Sequence, residues 1–330
     1  MLARDFPPPL VGEVLSVAKR RGRPAQALIV VLALRAIPPL PPFTGEELVS
    51  VRFEKQRQIR YTTIMPVSPE TIAFAHQLAD AAGEVIRPFF RQRIDVANKP
   101  MMVNGQPVFD PVTEADKNAE KAIRAIIERE RPQDGILGEE FGEKKGTSGL
   151  RWVLDPVDGT RAFINGRHEW GCLIALEEND RPVLGVIDQP WIGERFVGAN
   201  GETHLHFRGA AVPIHVRQCE KLSDAILCAT HPDAYHQPGE WPAFRRVQKE
   251  VRMTRWGGDC YIFGTMALGF CDLIVETTFH RWDVAALIPV VEGAGGIITN
   301  WHGGSCAEGG QCLAAGDKRI HEAAMRLLNA

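Results

Sequence analysis

A chain of 330 residues is long enough to bury a full core, as one large domain or two small ones. Apolar residues make up 45% and charged residues 24%, which is ordinary globular composition and not that of a fibrous or low-complexity chain. A formal charge of -3 leaves no basic footprint for nucleic acid, so the expected partner is a small molecule.

The first 64 residues differ in texture from the rest. Prolines cluster at Pro7 to Pro9 and Pro38 to Pro42, a basic run spans Lys19 to Arg23, and no periodicity is sustained. The apolar run Ala27 to Leu34 is far shorter than the ~20 residues that span a bilayer. Arg35 and the Pro-rich stretch after it replace a signal-peptide cleavage site, and Asp5, Glu13, Glu46 and Glu47 interrupt the acid-poor pattern of a transit peptide. Residues 1–64 are therefore read as a disordered leader, or as a segment upstream of a true start at Met65.

From Ser68 the pattern changes. Ser68 as N-cap, Pro69 behind it, and Ile72, Ala75, Leu78, Ala79, Ala82 and Ile86 at helical spacing predict an amphipathic helix. Thr113 caps a second helix with Ala119, Ala122, Ile123, Ile126 and Ile127 on one face, ending before Pro132. Strands are expected at 136–137, 152–154, 171–176, 183–187 and 195–198. Helices follow at 261–269 and 284–292 with a strand at 273–276 between them, then a last strand at 296–299 and a helix at 318–328. This alternation predicts a layered α/β arrangement without internal repeats. The seven cysteines form no C-x-x-C pair, and an odd count without a secretion signal fits buried free thiols in a reducing cytoplasm.

The chemistry concentrates in Trp152-Val-Leu-Asp155-Pro-Val-Asp158-Gly-Thr160, where an apolar strand runs into two acids three residues apart. Hard divalent cations need oxygen ligands, and Mg²⁺ prefers a few carboxylates completed by water and substrate phosphate. Pro156 restricts the backbone so that both acids and the Val157 carbonyl can be presented at one turn. Gly159 permits close approach to a phosphate, and the N–H groups of the next helix face the anion. The plainer reading is a capped turn, since Asp-x-x-Asp-Gly-Thr is also good turn chemistry. Glu139-Glu140, at the end of a predicted strand, could equally be surface ion-pairing residues, and Asp283, ahead of an apolar helix, could be a plain N-cap.

Taken in order, Asp110-Pro-Val-Thr113-Glu-Ala-Asp116, Glu139-Glu140, Asp155-Pro-Val-Asp158-Gly-Thr160 and Trp282-Asp283-Val-Ala-Ala286 with Glu292-Gly-Ala-Gly-Gly296 resemble the signatures of the inositol-monophosphatase superfamily, from about Ser68 to the C-terminus. The resemblance implies a five-layer α/β/α/β/α fold, its α+β half at about 65–205 and its α/β half at 206–330, commonly as a homodimer. It implies a Mg²⁺-dependent phosphate monoester hydrolase with two to three cations per site and Mn²⁺ as the alternative. Glu139, Asp155 and the Val157 carbonyl would hold one cation, and Asp155, Asp158 and Asp283 another; Glu140 would support a third or the ligand geometry. Thr160, hydrogen-bonded to Asp116, would orient or deprotonate the attacking water, while Gly159 and Thr160 N–H groups steady the phosphate.

Arg161-Ala162-Phe163 and the acid in Trp256-Gly257-Gly258-Asp259 look most like the histidinol-phosphatase branch. Histidinol phosphate carries an ammonium and an imidazole, for which Asp259 and Glu276 would be anionic partners. Arg255 and Lys99 are further candidates near the substrate. Inositol monophosphate ranks second and the adenosine bisphosphates third. A binding-only regulator of RNA or transcription is the alternative of another class, disfavoured because every residue of the hydrolytic site is in place.

Overall fold

The computed structural model describes residues 66–103 and 106–330. The readings made for residues 1–64 and for a start at Met65 lie outside the described residues. Helix α1 (Pro69–Ile86) begins where Ser68 accepts the Thr71 N–H, and it buries Leu78, Ala79, Ala82 and Ile86 along one stripe. An antiparallel hairpin, β1 (Val96–Val103) and β2 (Gln106–Thr113), leads into α2 (Glu114–Glu130), whose Thr113 cap and Asp116 form a capping box.

Next come β3 (Gly135–Gly138), β4 (Gly142–Lys144), β5 (Leu150–Asp158), the short helix α3 (Thr160–Ile164), β6 (Gly171–Glu178), β7 (Arg181–Gln189), β8 (Glu194–Ala199), β9 (Glu202–Phe207) and β10 (Ala210–Pro213). These strands make one eight-stranded sheet in the order β10-β9-β8-β7-β6-β5-β3-β4, antiparallel except where β3 runs parallel to β5. The remaining elements are β11 (Ile226–Ala229), α4 (Glu240–Gln248), β12 (Met253–Trp256), α5 (Tyr261–Ala267), β13 (Leu273–Phe279), α6 (Arg281–Val284), α7 (Leu287–Gly293), β14 (Ile297–Thr299), β15 (Gly310–Ala315) and α8 (Lys318–Leu328). They form a five-stranded sheet, β12-β11-β13-β15-β14, in which β12, β11 and β13 are parallel.

Strand alternation divides the core into layers. Trp152 and Leu154 of β5 pack with α1 and α2, while Val153 between them faces the opposite side, with α5, α6 and α7. Those central helices also cover one face of the second sheet through Cys228, Ile274 and Ala314. The other face, with Leu227, Val275 and Leu313, packs against α4 and α8. The order is therefore α/β/α/β/α. Gly185 and Gly198 on the first sheet lie against the backbone of Ala286 and Pro289, where a Cβ would collide. All seven cysteines are buried and free. Among the described residues no helix is long and apolar enough to cross a membrane.

Two sequence expectations change. The single helix at 284–292 is two, α6 and α7, separated at Ala285 and Ala286. Pro289 has no N–H for the Ala285 carbonyl and fits as the third residue of a new helix, where an N–H would lack a partner in any case. The final strand at 296–299 has a neighbour, β15, and β11, β12 and α4 are additional elements.

Candidate active site

Asp155 and Asp158 stand three apart on β5, an odd separation that would send them to opposite faces of a regular strand. The pairing of β5 with β6 slips between them: Asp155 faces Leu173 and Asp158 faces Gly171, so the segment holds one extra residue. This bulge brings both carboxylates to one side, and Pro156, lacking a donor, sits where the ladder is already interrupted. Asp283 joins them from α6, and the three acids offer oxygens that all lie within 4.8 Å of one another. Asp283 is not the N-cap of its helix. It is the third residue, accepting the His280 N–H at 2.7 Å, with His280 as the cap.

Glu139 follows β3 and extends its pairing with β5 through an N–H to the Leu154 carbonyl, 3.2 Å. The hairpin strand β1 carries Lys99 into the same corner, 2.7 Å from Glu139 Oε1 and 2.5 Å from Glu140 Oε1. The hairpin thus brings Lys99 to the acids, whereas Arg255 is exposed on β12 and lines neither cavity described below. Its expected place near the substrate is not where β12 puts it.

Gly159 caps α3 with φ 85°, and a Cβ there would press on the Glu169 carbonyl and on Asp259. Thr160 Oγ1 donates to the Val157 carbonyl at 3.1 Å or to Asp116 Oδ1 at 3.4 Å. The other oxygen of Asp116 is held by the Thr113 N–H and hydroxyl, 2.9 and 2.6 Å. Asp158 Oδ2 accepts the Cys260 N–H at 2.6 Å, which ties β5 to the start of α5.

These carboxyls resist ionisation. Burial first, and then the charges of Glu139, Asp158 and Asp283, push Asp155 far above its ordinary range. Burial and Asp158 do the same to Asp283. Asp158 is raised to about 6, chiefly by burial and against the Cys260 hydrogen bond. Glu140 is raised to about 7 by burial, although Lys99 opposes it. Lys99 is desolvated, which disfavours its charge, yet Glu139 and Glu140 outweigh this and raise its pKa. A crowd of carboxyl oxygens, buried at Asp155 and half-buried at Asp158 and Asp283, with suppressed ionisation and no sulfur or imidazole among the clustered donors, suits a hard divalent cation. Asp155, Asp158 and Asp283, with Glu139 beside them, could hold it.

A cavity of about 300 Å³ lies over these acids, lined by Lys99, Glu139, Asp155, Asp158, Glu276 and Asp283 among others. A second, of about 690 Å³, opens beside it and shares Arg161, Thr230, His231 and Asp259 with the first. Gly257 and Gly258 line the second cavity, and Asp259 takes a left-handed backbone, φ 42°, at the boundary. Burial and Asp158 raise Asp259 to about 8; burial raises Glu276 to about 8. One Glu276 oxygen is already engaged by the Thr230 N–H and hydroxyl, at 2.6 and 2.9 Å. Arg161 is exposed and bonds the Phe109 carbonyl at 2.8 Å.

Thr230 and His231 were not among the sequence candidates. They follow β11, a four-residue strand; the available signal was its position, since ligands of open α/β sheets gather at the carboxyl ends of parallel strands.

Residues 68–330 match the model of the Inositol monophosphatase family. The chain is 41% identical to the Bifunctional phosphatase IMPL2, chloroplastic, of Arabidopsis thaliana, over 78% of this chain and 74% of that one. It is 35% identical to a Histidinol-phosphatase of Streptomyces coelicolor, covering 80% of this chain and 99% of the relative. Among solved structures, an inositol monophosphatase from Zymomonas mobilis is 44% identical, with a TM-score of 0.69 over 79% of this chain and 98% of the other.

Proposed function

The chain belongs to the inositol monophosphatase family, as a phosphatase of small phosphate esters, and within that family we propose that it hydrolyses histidinol phosphate to histidinol and phosphate with divalent cations bound at the acid cluster. The observation that carries the substrate assignment is the pair of carboxyls, half-buried Asp259 and buried Glu276, that line the cavity over the three clustered acids. Burial raises both pKa values and so disfavours their charge, and a cationic neighbour offsets that cost by favouring the carboxylate; an ammonium or imidazolium supplies one and a neutral polyol does not.

In this reading Asp155, Asp158, Asp283 and Glu139 hold Mg²⁺, or Mn²⁺ in its place, with the Val157 carbonyl and Glu140 as further oxygen donors. Cations held there would acidify a water and neutralise charge on the departing oxygen. Thr160 would orient the water and take its proton on Oγ1 as the hydroxyl's own proton moves to Asp116. Gly159 and Thr160 present backbone N–H groups to the phosphate, whose transfer depends on positioning and charge stabilisation. Asp259 and Glu276 bind the leaving group. A homodimer and a cytoplasmic setting belong to the same proposal.

Inositol monophosphate is the second reading, favoured by the 44% identity to the Zymomonas mobilis enzyme. The deciding measurement is kcat/KM for histidinol phosphate, inositol 1-phosphate and an adenosine bisphosphate, with and without Mg²⁺. A tenfold or greater preference for histidinol phosphate is expected; equal or higher efficiency on inositol 1-phosphate would overturn the assignment.

A further inference from the structure

Helix α2 carries a second buried acid one turn after Asp116. Glu120 is fully buried, yet its carboxylate faces a turn of another element. Its Oε2 accepts the Glu140 N–H at 2.8 Å, and its Oε1 accepts the Phe141 N–H at 3.3 Å. Arg124, one turn further along α2, donates to Glu120 Oε1 at 2.7 Å and also to the Gly142 carbonyl. Apart from the Arg124–Glu120 bond within the helix, these bonds end on residues 140–142, immediately after Glu139. The preceding residue makes room for them. Gly138 has no left-handed backbone to explain it, but any Cβ there would overlap the Glu120 carboxylate.

The turn needs such a hold. Glu139 and Glu140 are adjacent in sequence and point into one corner, where both reach Lys99. Like charges forced together destabilise the turn that carries them, and a flexible turn would let them part. A buried carboxylate that accepts two backbone N–H groups and an arginine keeps its charge satisfied while fixing that backbone. Residues four apart share a helix face, so α2 sets Asp116 against Thr160 and Glu120 against the Glu139 turn in one rigid register.

We propose that Glu120 is a positioning residue for the cation site, its buried carboxylate fixing the turn that aims Glu139 and Glu140 at the cluster of Asp155, Asp158 and Asp283. The inference rests on the metal reading above. It assigns Gly138 the role of leaving space for that carboxylate.

The experiment is calorimetric titration of Mn²⁺ into the full-length metal-free protein and into Glu120→Gln and Gly138→Ala. Glutamine replaces one acceptor oxygen with a donor against a backbone N–H; alanine leaves Glu120 intact but displaces it. Both should weaken Mn²⁺ binding by about 10- to 100-fold, the range for groups that orient metal ligands. In turnover, both should raise the Mn²⁺ concentration for half-maximal rate by a similar factor and recover kcat at saturating Mn²⁺. If Glu120→Gln does not fold, Gly138→Ala carries the test alone. Lowered melting temperatures with unchanged Mn²⁺ affinity would overturn the inference and leave Glu120 as a structural residue. A wild-type protein that takes up no Mn²⁺ would overturn the metal reading and this inference with it.

Discussion

Burial of Asp155, Asp158 and Asp283, with their mutual repulsion added to it, disfavours their charge, and that cost should be measurable in the metal-free protein. Folding raises these groups above their unfolded values, so the folded state holds their protons more tightly than the unfolded chain does. The resulting stabilisation is full below the unfolded value near 4 and is lost as pH climbs through about 6 at Asp158 and about 8 at Asp259 and Glu276. His76, lowered to about 4 by burial, acts in the opposite sense, but its effect is complete by about pH 6.5. Between pH 6.5 and 9 the melting temperature without metal should therefore fall, and Mg²⁺ should recover most of the loss; a rise over that interval would contradict the site. Asp155→Asn should abolish metal-dependent turnover, by about a thousandfold or more, because it removes several kcal/mol of transition-state stabilisation. The same change removes a carboxyl that folding must either protonate or bury as a charge among other acids, so this variant should melt above the wild type at pH 8 in the absence of metal. Asp259→Ala should reduce kcat/KM for histidinol phosphate at least tenfold and for inositol 1-phosphate much less. An equal loss on both esters would count against the leaving-group pocket.

At the scale of elements, the first sheet and the central helices meet backbone to backbone. A methyl group at Gly185 would overlap the Ala286 carbonyl, so Gly185→Ala should cost about 1–3 kcal/mol in denaturant unfolding and disturb the link between α6 and α7. An unchanged midpoint would mean that the helix can lift away freely. The amphipathic helices α1, α2 and α8 could be read directly because a stripe of Ile, Leu and Ala at period 3.6 leaves few alternatives. Hairpin β1–β2 could not be, since Pro100, Pro107 and Pro111 argue against strands, and a two-stranded ribbon escapes the rule for central strands by having only edges. Strand β11 is four residues long, with no alternation to detect, and so Thr230 and His231 at its end went unnoticed. The order of the acids was visible in sequence. The bulge that turns Asp155 and Asp158 to one side was not, because it depends on how β5 registers against β6.

For the molecule as a whole, the proposed ligand set is divided between the sheets: Asp155 and Asp158 end a strand of the first, and Asp283 follows the last parallel strand of the second. Cation binding should accordingly stabilise one cooperative unfolding transition, by about 2.7 kcal/mol at a hundred times the dissociation constant. Calorimetry showing two separate transitions, only one of them metal-sensitive, would contradict this. The buried thiols give that coupling a local readout. Every cysteine is shielded in the native state, so a thiol-modifying reagent reacts only when a segment opens, and each labelling rate reports the free energy of one opening. Cys260, whose N–H rests on Asp158, should label more slowly when a divalent ion is present, while Cys219, on the far side of the second sheet, should respond only as much as global unfolding does. The sulfur atoms scattered through the layers are thus a set of built-in clocks for how far the grip of the acids extends.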